Sequence, residues 1–305
     1  MEYAEAPLKK RLVWRLEALA FEAGSALLRL LPVDAASAFG GWVFQQLGPL
    51  TRAHRTVDRN LRLAFPQMDA AARARLNHAQ WGNVGRYFVE LTMMDRLTVK
   101  SGRVEVVGAE RLAAIAAGGQ SVVFFSGHLS NCEIMSSVIL ESGVECVITY
   151  RAANNPLFND AMKKTRRRYG VEIFAPKGAQ GARALLSALK HGRSVALMND
   201  QKNNDGIAVP FFGHPAFTAS GPTKLALGSS GVLQPMSVQR LKGARFRVIA
   251  HEPIVLHHTH DREADTRAGV AQINAFMEDR IRERPEEWFW VHKRWPDSAY
   301  AALDA

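Results

Sequence analysis

The chain predicts an α/β protein: a largely parallel sheet flanked by helices, preceded by a helical N-terminal region. Two observations predict it. From Val104 onward, short apolar runs alternate with segments of helical length and periodicity, and strands joined by helical crossovers assemble into a parallel sheet covered on both faces. The first hundred residues carry helical periodicity broken by Pro32, Gly48-Pro49 and Pro66. The expected division is therefore 1–100, a helical region with a membrane-associating helix, and 101–305, the α/β domain. No internal repeat or low-complexity tract interrupts either.

In the first region, residues 12–31 are mainly apolar, but Arg15, Glu17, Glu22 and Arg29 interrupt them. A charge at a helix centre costs about 2.5–3.5 kcal/mol on insertion, so a conventional span is not expected. Arg11, Arg15, Glu22 and Arg29 fall on one stripe, leaving an apolar surface of Leu12, Leu16, Leu19, Ala23, Leu27 and Leu30. Such a helix either lies in a membrane interface, with Lys9, Lys10 and Arg11 at the headgroups, or packs on the rest of the protein. Glu17 and Glu22 also sit where a cleaved signal peptide needs an unbroken apolar core. Further on, Arg52, Arg55, Arg59 and Arg62 line one helical face, either solvated or a footprint for an acidic partner. Asp69 is placed to cap the helix that runs toward Leu91.

In the second region the expected strands are 121–126, 144–150, 171–175, 194–199, 232–238 and 246–254. The expected helices are 134–141, 156–169, 180–191, 218–229 and 264–284. Ligands of such sheets collect beyond the carboxyl ends of the strands. Polar residues gather there: His128 after the first, Arg151 after the second, Asp200-Gln201 after the fourth and Arg240 after the fifth.

Composition narrows the chemistry. Among 305 residues, 47% are hydrophobic and 22% charged, enough to bury a large core. Cys132 and Cys146 are the two cysteines, too few for a disulfide framework and suited to a reducing compartment. The formal charge of +10 predicts attraction to something anionic. With no zinc-type spacing, phosphate-binding loop or dinucleotide fingerprint, neither a metal nor a cofactor is expected. No nucleic-acid module is recognisable, so nucleic acid is not an expected partner.

The most informative segment is Gly127-His128-Leu129-Ser130-Asn131-Cys132-Glu133, between an apolar strand and an apolar helix. An imidazole and a carboxylate at a strand-to-helix crossing suit the deprotonation of a hydroxyl. Residues five apart diverge by about 140° on one helix, so the pair converges only with His128 in the turn and Glu133 in the first helical turn. Ser130 and Glu133 also fit a capping box, which would leave Glu133 a mere cap and His128 an ordinary loop residue. Cys132, inside an apolar stretch, reads as a small buried thiol.

Several stretches together resemble one family. They are His128 with Glu133, Tyr150-Arg151 with Asn155-Pro156, Asn199-Asp200-Gln201, Val209-Pro210-Phe211-Phe212-Gly213, Thr218-Ala219-Ser220-Gly221-Pro222, and the block from Arg284 to Trp295 that holds Trp288, Trp290, Lys293 and Arg294. In this order they resemble the lipid A biosynthesis lauroyl and myristoyl acyltransferases of the lysophospholipid acyltransferase superfamily. The resemblance implies transfer of an acyl chain from acyl carrier protein to a hydroxyl of a lipid A precursor, at the cytoplasmic face of a bacterial inner membrane. It implies His128 and Glu133 as the catalytic pair, with His128 as base and Glu133 holding its ring. Expected substrate-binding residues are Asn131, Arg151, Arg166, Asp200, Gln201, Phe212, Gly213, Lys293 and Arg294. The basic residues suit glucosamine phosphates or the acidic carrier protein. Asp200 either positions the acceptor or belongs to a turn. Phe211, Phe212 and Phe217 either line a groove or fill the core, and Trp288, Trp290 and Trp295 sit at a membrane boundary or pack on the sheet.

Overall fold

A computed structural model describes residues 6–118, 120–150, 153–171, 174–176 and 179–304. Four helices come first: α1 (Leu8–Leu28), α2 (Val33–Leu47), α3 (Arg52–Ala64) and α4 (Ala70–Glu90). Asp69 caps α4 as expected, accepting from the Ala72 amide at 2.7 Å. Strands and helices then alternate: β1 (Val104–Val107), α5 (Ala109–Gly118), β2 (Val123–Ser126), α6 (Glu133–Glu141), β3 (Cys146–Tyr150), α7 (Pro156–Arg167), β4 (Phe174–Pro176), α8 (Ala179–Lys190) and β5 (Ser194–Met198). The chain continues through β6 (Lys202–Phe211), β7 (His214–Thr218), α9 (Gly221–Leu227), β8 (Val232–Arg240), β9 (Phe246–Ala250), β10 (Ile254–Val255), α10 (Arg262–Glu283) and α11 (Asp297–Asp304).

The main sheet runs β1-β9-β8-β2-β5-β3-β4, with β10 paired to β8. Its pairs are parallel except β8 with β9 and with β10. Both faces are covered, because side chains alternate along each strand. Phe124 joins a cluster with Ile134 of α6 and the indoles of Trp288, Trp290 and Trp295, while Val123 and Phe125 pack with Leu185 of α8, Leu225 of α9 and Ile273 of α10. The first cluster also takes in Val57 and Leu61 of α3. The N-terminal helices and the sheet thus share one core.

Three expectations change. The helix expected over 218–229 starts at Gly221, because Thr218 ends a strand. Residues 202–218 form a two-stranded hairpin outside the main sheet, which the run Asn203-Asn204-Asp205-Gly206 had disguised as a turn. Its true turn is Phe212-Gly213, both at positive φ (50° and 77°), between the paired Phe211 and His214. A two-residue loop with two positive φ angles matches the twist of its strands. The strand expected over 246–254 is split into β9 and β10, which pair with opposite ends of β8.

On α1, Leu12, Leu16, Leu19 and Leu27 are exposed, as is Leu30 just beyond its end, each by more than half of its surface. The helix docks by its other side, where Phe21 meets Phe158 of α7 and Asn155 donates to the Trp14 carbonyl. Among the described residues no helix is long and apolar enough to cross a membrane. Half of the α3 arginine stripe is structural, since Arg59 and Arg62 donate to the carbonyls of Tyr300 and Leu303 on α11.

Candidate active site

Register brings the key residues together. In the parallel pair β2–β5, Ser126 stands opposite Met198, and the Asn199 amide donates to the Ser126 carbonyl. His128 and Asp200 each lie two residues beyond those partners, so they leave the sheet side by side. Asp200 is 1% exposed and accepts three hydrogen bonds: from the His128 backbone amide (2.7 Å), from His128 Nδ1 (2.7 Å) and from Trp288 Nε1 (2.8 Å). Gly127 permits this approach, because a Cβ there would lie 3.0 Å from the Asp200 carboxylate and 2.2 Å from Met277. Burial opposes the charge on Asp200. The charge of the His128 ring and its hydrogen bonds outweigh burial and hold the carboxyl well below its ordinary range. An ionised carboxylate only accepts, so Nδ1 of His128 carries the proton of that bond, and in the neutral ring Nε2 is the nitrogen left with a lone pair.

The loop that presents His128 is strapped by the chain's C-terminal block. Ser130 takes φ 45°, a left-handed conformation costly for a side-chain-bearing residue. Its amide donates to the Glu287 carbonyl at 2.7 Å, Leu129 bridges to Trp288, and the Phe289 amide donates to the His128 carbonyl. The capping box is not formed. Cys132 precedes α6 and Glu133 is its first residue, so the Glu133 side chain is released to face the cavity.

That release sets a second cluster. Glu133 accepts from Arg166 Nε (3.1 Å) and Nη2 (2.5 Å) and from the Tyr169 hydroxyl (2.8 Å). Burial opposes its ionisation, but Arg166 and Tyr169 prevail and hold its carboxyl below the ordinary carboxylate range. The expectation that Glu133 holds the His128 ring is corrected: Asp200 holds it. The physical reason is that α7 delivers a guanidinium fork to Glu133, whereas the β2–β5 register delivers Asp200 to the imidazole.

Both clusters open on one cavity of about 350 Å³. His128, Gln201, Glu133 and Arg166 form its polar part; Phe124, Met135, Ile139, Ile148, Val171, Ala196, Met198 and Met236 line an apolar slot. The Gln201 amide lies 3.5 Å from His128 Nε2. Cys132 also borders the cavity, and burial pushes its thiol far up, which makes it a poor nucleophile. The arrangement suits removing a proton from a hydroxyl beside a bound hydrocarbon chain.

Other expected site residues lie elsewhere. Asn131 is fully buried and donates to Glu90, away from the cavity. Arg240 is 8% exposed and forms a two-pronged pair with the same Glu90. Phe212 packs edge-on against Phe65 beneath the Arg282 guanidinium, and Gly213 completes the hairpin turn. Arg294 is wholly buried; it donates to Phe217 O, Thr218 Oγ1 and Asn274 Oδ1 and stacks over Phe211, so its charge is spent inside the fold. Lys293 is exposed and pairs with Asp297. The three late tryptophans are at most 1% exposed and pack on the sheet, not at a boundary. Arg151 lies outside the described residues. The role of Asp200 beside His128 was open to view only as two polar strand ends, and the indole of Trp288 had no sequence signal beyond its place in the C-terminal block.

The model of the bacterial lipid A biosynthesis acyltransferase family matches residues 11–297. The chain is 27% identical over 255 residues to the lipid A biosynthesis lauroyltransferase of Escherichia coli K12, covering 80% of this chain and 79% of that protein. It is 22% identical over 266 residues to the lipid A biosynthesis myristoyltransferase of the same organism, covering 81% and 76%. It is 25% identical over 293 residues to the phosphatidylinositol mannoside acyltransferase of Mycobacterium tuberculosis, covering 90% and 87%. The chain therefore belongs to the bacterial lipid A biosynthesis acyltransferases, enzymes that transfer acyl groups.

Proposed function

We propose that this protein moves a fatty acyl chain from an acyl carrier protein thioester to a hydroxyl of a lipid A precursor, at the cytoplasmic face of the inner membrane. The observation that carries this reading is the His128–Asp200 pair at the mouth of an apolar slot. The acceptor hydroxyl gives its proton to His128 Nε2 as its oxygen attacks the thioester carbon. Asp200 keeps the ring in that tautomer and stabilises the imidazolium that forms. The tetrahedral intermediate collapses, the carbon–sulfur bond breaks, and the imidazolium returns the proton to the departing thiolate. No acyl-enzyme is needed, because the thioester is already activated.

Arg166, held by Glu133, supplies positive charge to the developing oxyanion together with amides at the start of α6. Glu133 thus acts through Arg166 and not as the partner of the base. Gln201 positions the acceptor oxygen near Nε2. The exposed leucines of α1 and the adjoining Lys9 and Lys10 support a helix lying in the membrane interface.

The 25% identity to a phosphatidylinositol mannoside acyltransferase supports a second reading in which the acceptor is another glycolipid and the same residues act. Purified protein incubated with acyl carrier protein thioester and a lipid A precursor should add the mass of one acyl chain. Mass gain on a mannoside acceptor, with none on the lipid A precursor, would select the second reading.

A further inference from the structure

A second cavity, of about 370 Å³, lies apart from the catalytic one, between the C-terminal halves of α1 and α7. It is lined by Ser25 and Arg29 on one side and by Lys164, Thr165 and Arg168 on the other, with Glu22 as its acidic member. Helix α7 divides the two cavities: Arg166 faces the first, while Lys164, Thr165 and Arg168 face the second.

The charges in it are unevenly satisfied. Arg29 is neutralised by a two-pronged pair with Asp95 at 2.7 Å and also donates to the Thr92 carbonyl. Thr165 turns its hydroxyl to the Ala161 carbonyl. Among the described residues, Lys164 and Arg168 pair with no carboxylate. Cations at a helix C-terminus offset the helix dipole and need no ligand for that. What points to one is the Ser25 hydroxyl: its oxygen is shielded from solvent with no hydrogen-bond partner, and the half-buried residue lines a volume shared with the two exposed cations. A buried hydroxyl without a partner is costly, and an oxyanion is the acceptor that would satisfy it together with the cations. The helix that supplies Ser25 carries exposed Leu16, Leu19 and Leu27 along its other side, which sets the cavity at the edge of an apolar surface.

We propose that this cavity binds the phosphate of an anionic ligand, a phosphodiester lipid headgroup or free phosphate, through Lys164, Arg168 and the Ser25 hydroxyl. This goes beyond the acyl-transfer reading and does not depend on it, since the test reads binding alone.

The full chain is titrated with phosphatidylcholine vesicles and with vesicles in which part of the lipid is phosphatidylglycerol, and the ratio of the two affinities is measured by co-sedimentation. Ser25→Leu fills the cavity without changing charge and is expected to lower that ratio roughly tenfold. Lys164→Gln with Arg168→Gln should lower it at least as much. Arg52→Gln with Arg55→Gln removes the same charge on α3 and should change it far less. Competition by inorganic phosphate would assign the site to the phosphate group itself; cavity-dependent binding without competition would assign it to the lipid headgroup. Parent-like binding by Ser25→Leu, or equal losses in the two charge-removing pairs, would overturn the proposal.

Discussion

The two polar ends of the candidate catalytic cavity differ in how their carboxylates are paired. At one end, Asp200 is buried beneath His128 and takes three donors, leaving the imidazole partly exposed to the cavity with Nε2 turned away from the carboxylate. At the other, Glu133 and Arg166 satisfy each other through two hydrogen bonds, and Tyr169 adds a third to the carboxylate. In the proposed reaction the first end would supply the proton acceptor and the second the positive charge. The difference teaches that proximity along the chain is a poor guide: the carboxylate five residues from His128 pairs with the Arg166 guanidinium, and the one seventy-two residues away pairs with the imidazole.

The strongest way to break the comparison is at its base. His128→Ala should lower turnover by about 10²–10⁴ with the melting temperature nearly unchanged, as followed by product mass and circular dichroism. Asp200→Asn should come next, with a loss of up to about 10⁴, because an amide in place of the carboxylate no longer selects the useful tautomer. Combined with His128→Ala it should add little, since the two act as a unit. At the other end, Arg166→Gln should cost about 10² in turnover. Glu133→Gln should match it and also lower stability by about 3 kcal/mol, because it leaves a largely buried guanidinium short of its counter-charge. A double-mutant cycle should show strong coupling within each end and near-additivity between them.

How far the sequence reached follows the same division. The alternation of apolar runs and amphipathic segments made the parallel sheet legible, and His128 at a strand-to-helix turn was legible with it. The partner of His128 was not, because it depends on β2 lying beside β5 and in what register, which are long-range facts. The rotation of Glu133 was hidden as well: the capping box was sound local chemistry, but the strap from Glu287 and Trp288 holds Ser130 at positive φ and removes it from the cap. Asn131, Arg240 and Arg294 looked like ligands because polar and charged residues rarely bury. Here Glu90, Thr218 and Asn274 supply the partners that make burial tolerable.

The smallest expected effect concerns pH. His292 lies 6.5 Å from the His128 ring, centroid to centroid; burial pulls it down from 6.5 to about 4, against the attraction of Asp200 and with the help of His128. A group whose folded pKa is depressed stabilises the fold above its unfolded value, and that stabilisation is lost as pH falls through the folded value. The His292 contribution should therefore fade between pH 6.5 and 4. Denaturant titrations should show His292→Gln losing less stability across that window than the parent. An equal loss would place the acid sensitivity elsewhere.

The most direct test measures single-turnover acyl transfer from acyl carrier protein thioester to a lipid A precursor, by mass spectrometry, for the parent, His128→Ala, Asp200→Asn, Glu133→Gln, Arg166→Gln and the double variants that join His128→Ala to Asp200→Asn and to Glu133→Gln. The pair at positions 128 and 200 should fail together and without additivity, while Glu133→Gln loses rate only in step with Arg166→Gln. Parent-like turnover by His128→Ala or Asp200→Asn, or coupling of His128 to Glu133 stronger than to Asp200, would contradict the account.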